Sequence, residues 1–167
     1  MPFGPASSVK RPPAGPQWET MGTFQPIVSH WGPAGGRFTE LAGPNGKEVH
    51  FVQTYSFFGK QSPVGERVIK AMAAKYPNVK GPGDITPAVG VANAYDSMHL
   101  AALALTAAGS TDGEAIRQGV YKIGRHEGLI KTYNKPFSEG RHDALGPDDY
   151  VWAQFIDNRI VPVGVGN

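Results

Sequence analysis

Five histidines, at positions 30, 50, 99, 126 and 142, are the side chains best able to move a proton or hold a metal, and no two lie within one helical turn of each other. A metal site needs several ligands converging on one point, and this spacing supplies none. The chain has no cysteine, which removes thiolate nucleophiles, zinc ribbons and disulfides together and leaves the redox compartment open. Gly43 to Lys47 (GPNGK) lacks the spacing and the following Ser or Thr of a phosphate-cradling loop, and neither G-x-S-x-G nor H-E-x-x-H occurs. His142-Asp143 with Asp148-Asp149 has the residue types of an acid/base cluster or a calcium loop. Its setting between Gly140 and Gly146-Pro147 reads instead as a solvated loop, because isolated loop charges are usually hydrated and unpaired. No catalytic signature emerges, so an enzyme is not expected, and neither is a cofactor.

The more suggestive residues are aromatic and polar groups where apolar runs stop: Ser29-His30-Trp31 before a glycine loop, and Tyr55-Ser56-Phe57-Phe58 before Gly59. In open α/β sheets small ligands sit beyond the carboxyl ends of the strands, so such residues are placed for a small molecule. An aromatic at a strand end is a lid on the core at least as often. Tyr95 and His99, four apart, read first as packing residues with polar tips.

The elements that must position these residues follow from the same pattern. Pro26 to His30 is a short β-type run, and the glycines of Trp31 to Gly36 permit left-handed backbone. Arg37 to Ala42 makes one or two helical turns, closed by a turn at Gly43-Pro44-Asn45-Gly46. Val49 to Tyr55 alternates as a strand. Ser62-Pro63 opens a helix with Ser as N-cap, and Val64, Val68, Met72 and Tyr76 fall on one face before Pro77 ends it. A second helix is predicted over Val89 to Ala108, with Val91, Tyr95, Met98, Ala102 and Leu105 as its apolar face. Thr111 to Glu114 reads as a capping box for a third, Asp112 to Ile123. Gly128 to Tyr133, Tyr150 to Ile156 and Ile160 to Val163 read as strands, the last two joined as a hairpin through Asp157-Asn158. Strands, helices, then a hairpin indicate an α/β chain.

The bulk figures agree with one domain. The 167 residues carry 16 bases against 14 acids, with no run of bases longer than Lys10-Arg11, so nucleic acid is not an expected partner. Met1 to Thr23 holds five prolines and no apolar run, and is expected to be a disordered or loosely attached lead without an export signal, anchored at its end by Trp18, Met21 and Phe24. The longest apolar stretch, Leu100 to Leu105, is far short of the about 20 residues that span a bilayer.

His30-Trp31-Gly32 through Gly43, Val49 to Phe58, Ala92 to Leu100, and Ala107 to Gly113, followed by Arg141 to Ala144, Tyr150-Val151-Trp152 and Asn158 to Pro162, together resemble the substrate-binding proteins of branched-chain amino acid ABC importers. The resemblance runs from about Pro26 to Val163 and implies a partial type 1 periplasmic-binding-protein fold. On it, residues 1–23 form a lead foreign to the family. Residues 24–58 and 128–167 would be elements of the second lobe, and 59–127 helices of the first. It implies a solute binder that serves a membrane permease outside the cytoplasmic membrane, whereas a chain starting at Met1 without a signal would stay in the cytoplasm. His30, Trp31, Tyr55 and Tyr95 carry over as ligand-binding residues. His30 and Trp31 stand where leucine-type binders place an acid for the ammonium group, which leaves an aromatic acid or an amide open beside branched-chain amino acids. Helices made to cover an absent sheet would expose Val91, Met98 and Leu105, so a self-associating, non-transporting dimer is the other expectation.

Overall fold

The structure, a computed structural model, describes residues 27–35 and 37–164. The lead expected over Met1 to Thr23, with Trp18, Met21 and Phe24, lies outside the described residues.

One four-stranded sheet has the order β1-β2-β5-β6, from β1 (Ile27–Ser29), β2 (Val49–Gln53), β5 (Val151–Ile156) and β6 (Arg159–Pro162). β1 runs parallel to β2, and the other pairs are antiparallel. The alternation read from the sequence of β2 is real: Val49, Phe51 and Gln53 are buried, and His50 and Val52 half-buried. The expected hairpin is present, because Asp157 and Asn158 both adopt left-handed backbone (φ 48° and 61°), the geometry that matches the twist of the flanking strands.

Four helices follow the predicted order: α1 (Phe38–Ala42), α2 (Pro63–Lys75), α3 (Ala88–Ala108) and α4 (Gly113–Tyr121). The Ser62 hydroxyl accepts from the Gly65 amide at 3.1 Å, the expected N-cap of α2. Val64 and Val68 are buried beneath that helix, but Tyr76 is 42% exposed, since the helix has ended before its ring can reach the core. Gly109 closes α3 in left-handed backbone (φ 60°), its N–H donating to the Leu105 carbonyl. The turn expected at Gly43 to Gly46 is instead a 3-10 helix, Gly43–Glu48.

Three further expectations are corrected. Gly128 to Tyr133 is not one strand but the bend of a small hairpin, β3 (Arg125–Glu127) with β4 (Thr132–Asn134). The cause is the Asp96 carboxylate, which takes the amides of Leu129 and Ile130 out of any strand ladder. The cap of α4 is Asp112, accepting from the Ala115 amide at 3.0 Å, and Glu114 bonds Arg117 and Gln118 rather than reaching back to close a box. The glycines after Trp31 are not used for left-handed backbone where they are described. A Cβ on Gly32 would come within 2.7 Å of the His30 ring, so a larger residue there would push that exposed side chain out of its place.

The face of α3 also differs from the predicted one. Ala88, Val89, Ala92, Asp96, Leu100 and Ala104 are buried, whereas Met98 is 72% and Leu105 42% exposed, and Val91 packs half-buried on the core. With its alanines all round, this helix carries little size contrast to mark one side. It acts as the spine of the chain. Its first turns share a cluster with Phe51, Ala153 and Phe155 of the sheet and another with Phe57, Val64, Val68 and Leu129. Its last turns join Ile123 and Tyr133 in a third. α4 crosses it closely, a Cβ on Gly119 falling 2.3 Å from the Ala104 carbonyl oxygen. Among the described residues no helix is long and apolar enough to cross a membrane.

Candidate functional site

The parallel pair β1 and β2 ends on one side at Ser29 and Gln53, and the segments leaving those ends carry the candidate residues. After β1 the chain turns through a 3-10 segment, Gly32–Ala34, closed by the Ala34 amide donating to the Trp31 carbonyl at 2.9 Å. The Gly32 amide donates to His30 Nδ1 at 2.8 Å, and the imidazole stands edge-on to Trp31 with ring centres 5.9 Å apart. His30 therefore braces the loop with one nitrogen and leaves Nε2 for an outside partner.

Trp31 is 46% exposed and forms one side of an open hollow of about 520 Å³. Its other walls are Thr54 just past β2, the first turns of α3 from Pro87 to Asn93, and Leu145 and Tyr150 from the loop before β5. Asn93 donates its amide hydrogens to Thr54 Oγ1 (2.9 Å) and the Val89 carbonyl (2.8 Å), so its own oxygen remains an unspent acceptor. No charged side chain lines the hollow. The wall offers two aromatic rings, aliphatic surface and a few acceptor oxygens, which suits the apolar body of a small solute.

Tyr55 and Tyr95 lie elsewhere. Tyr55 points its hydroxyl at Gln61 Oε1 (2.6 Å) and sets its ring edge-on to Phe57, while the Gln61 amide nitrogen gathers the Phe58 carbonyl at 3.1 Å. Burial first, and then the charge of Asp96, push the Tyr55 phenol up to about 12. Its exposed edge lines a different hollow, shared with Ile130, Asp149 and Val151, which meets the Trp31 hollow at Thr54. Tyr95, like Tyr55, packs half-buried on the apolar cluster under α2, and its ring lies tilted against His99 with centres 4.4 Å apart. The structure thus brings His30 to Trp31 and sets Tyr55 and Tyr95 against a common apolar cluster, rather than joining all four in one constellation.

The loop read as solvated charge is so only in part. His142, Asp143 and Asp148 are not buried, but Asp149 is partly buried, accepting from the Gly146 amide at 2.6 Å and from Lys131. Burial alone would raise its carboxyl; the Gly146 amide and the Lys131 ammonium outweigh that and hold it below the ordinary carboxylate value. No cluster of three or more metal-ligating side chains occurs among the described residues.

Sequence reasoning missed Thr54, Asn93 and Tyr150 as lining residues, and Asp96 as the buried anchor behind Tyr55. Asp96 had a signal, being the one Asp, Glu, Lys or Arg among the 21 residues of α3. A lone charge in an otherwise uncharged helix needs a partner wherever it faces inward.

No known family model matches the chain, and no curated protein matches it either. Solved structures do. The leucine-binding protein LivK of Thermotoga maritima superimposes with a TM-score of 0.71 at 21% identity over 90% of this chain and 40% of its own. A type 1 periplasmic binding protein of Bordetella pertussis Tohama I gives 0.71 at 19% identity, over 89% of this chain and 42% of its own. An ABC-transporter solute-binding protein of Rhodopseudomonas palustris, solved with benzoate, gives 0.59 at 15% identity, over 84% and 35%. The fold is part of a type 1 periplasmic-binding-protein fold, and the chain spans about 40% of the length of the structures it matches.

Proposed function

We propose that this chain is the carboxy-terminal part of an extracytoplasmic solute-binding protein that delivers a small amino-acid-like or aromatic-acid solute to an ABC permease, without catalysis. In this reading residues 24–58 and 128–167 belong to the second lobe and 59–127 to the first, and the Trp31 hollow is one wall of the cleft on which the lobes close. One observation carries it: at the strand ends of this fold lies an open hollow with Trp31 and Tyr150 as aromatic walls and no charged side chain. An ammonium group finds no carboxylate there, so this wall receives the solute's apolar body. Structural neighbours were solved as a leucine-binding protein and with benzoate, which supports a branched-chain or aromatic solute. His30 and Trp31 are the contacts we propose; Tyr55 and Tyr95 brace the crossing behind them.

Calorimetry tests this on the chain and on the longest protein its gene encodes, with branched-chain and aromatic amino acids, aromatic acids and their amides. Saturable binding is expected, weakened at least tenfold by Trp31→Ala. Silence across the panel in both proteins, or a Trp31→Ala variant that binds as before, would sink the proposal.

A second reading is a self-associating fragment that transports nothing. It is favoured by uncovered apolar side chains: Met98 and Leu105 on one face of α3, and Val28, Trp152, Ile156 and Val163 on or beside the sheet. Light scattering that finds only monomer at high concentration rejects it.

A further inference from the structure

Behind the loop that carries Trp31 lies a second and more enclosed hollow, of about 210 Å³. Pro33 and Ala34 of that loop form one wall, so the Gly32–Ala34 turn separates it from the Trp31 hollow. Its floor is drawn from two of the core clusters at once: Phe155 and Ala34 from beneath the sheet, Phe57 and Ile85 from beneath α2. The hollow therefore sits in the seam between the sheet and the helices.

Its chemistry differs from that of the Trp31 hollow. The one charged side chain on its lining is Arg159, beside the hydroxyls of Ser56, Thr39 and Thr86 and the Asn158 amide. No ion pair or side-chain hydrogen bond among the described residues engages the Arg159 guanidinium, and its Cδ and Nε lie close to Gly83, 3.0 and 3.3 Å from where a Cβ there would sit. No acidic residue lines the space. An apolar cavity of about 150 Å³ accepts a benzene ring in a protein core, so this one has room for a ring and a short acidic arm. A guanidinium fork at the rim matches the planar oxygens of a carboxylate.

We infer that this seam is a second small-molecule site, one that takes a small monocarboxylate with an aromatic or branched apolar body, its carboxylate on Arg159 and its body against Phe57 and Phe155. The site is separate from the cleft proposed above and stands or falls independently of it. An occupant would touch both clusters and so hold the sheet and the helices in one relative position.

The test is fluorine NMR on the full chain with 4-fluorophenylacetate as probe, and with 4-fluorophenylacetamide as its uncharged counterpart. Saturable broadening of the carboxylate in the millimolar range or tighter is expected, at least about tenfold stronger than for the amide. Arg159→Gln should weaken the carboxylate at least tenfold. Gly83→Ala, whose Cβ would sit 3.0 Å from Arg159 Cδ and 3.2 Å from Phe58 Cζ, should weaken both probes by crowding the hollow that Gly83 lines. Whatever Trp31→Ala does to binding in the other hollow, a component of carboxylate binding that Arg159→Gln abolishes should persist in it. Three results overturn the inference: no binding, equal binding of acid and amide, or binding that is lost in Trp31→Ala and kept in Arg159→Gln, which places the probe in the other hollow.

Discussion

Replacing Asp96 by Ala is the sharpest test of how this chain is held together. The carboxylate is 2% exposed and accepts three hydrogen bonds: from the Leu129 amide at 2.5 Å, the Ile130 amide at 2.9 Å and the Tyr133 hydroxyl at 2.7 Å. Leu129 and Tyr133 are themselves buried, at 2% and 3%, so their donors find no water when the acceptor is removed. Each orphaned donor costs about 1–3 kcal/mol, while Ile130, half-buried, can turn to solvent. Against this stands the relief of no longer burying a charge, so the net loss should be about 3 kcal/mol. At a urea slope of about 2 kcal/mol per molar, the unfolding midpoint followed by circular dichroism should fall by about 1.5 M. Tyr133→Phe removes one bond and leaves both amides satisfied, and should cost only about 1 kcal/mol. A second readout is independent of stability. The Tyr133 phenol is held above its ordinary value by burial first and then by its bond to Asp96, so in Asp96→Ala it should ionise at lower pH. A midpoint that hardly moves in Asp96→Ala, or equal costs for the two variants, would refute the account of Asp96 as the latch between α3 and the β3–β4 hairpin.

Two further outcomes follow from the same region. In Gly128→Ala the new Cβ would lie 2.6 Å from Tyr133 Cε2 and 2.7 Å from Asp96 Oδ1, so it should destabilise by about 1–3 kcal/mol in the same assay, and a neutral result would show that the bend is looser than drawn. Asp149 is held below the ordinary carboxylate value, so its contribution to stability is complete above about 4 and is lost as the pH falls through the lowered value. Lys131→Met removes a cause of the lowering while burial remains, so acid unfolding should begin at a higher pH, and an unshifted acid transition would mean that Lys131 does not hold Asp149 in solution.

Much of the fold was legible because local chemistry decided it. Ser62-Pro63 could only open a helix, Gly109 could only close one, and Asp157-Asn158 could accept the left-handed backbone that a tight hairpin requires. The misreadings arise where a distant partner overrules local preference. Ile130, Thr132 and Tyr133 are good strand residues, yet the chain bends at Leu129 and Ile130 because a carboxylate more than thirty residues earlier captures two amides. On α3, alanine on every side gave the periodicity little contrast, and the buried face turned out to be the one that holds Asp96.

The candidate site divides along the same line. Trp31 was expected at a cleft from the family resemblance and from its place two residues past a strand end, and it lines an open hollow there. Tyr95 was read as a packing residue from its helical position and as a ligand contact only through the family resemblance, and a position on a helix commits a side chain only once the facing element is known. Tyr95 packs half-buried against the cluster that holds Val64 and Val68 of α2, and Asn93, two residues earlier, is the helix's polar contribution to the Trp31 hollow. The aromatic wall and the polar acceptors therefore come from elements far apart in sequence, joined through the Asn93 to Thr54 hydrogen bond across 39 positions. Any solute held between them would feel the sheet and the helices together, which is the physical requirement for a cleft whose closure depends on its occupant.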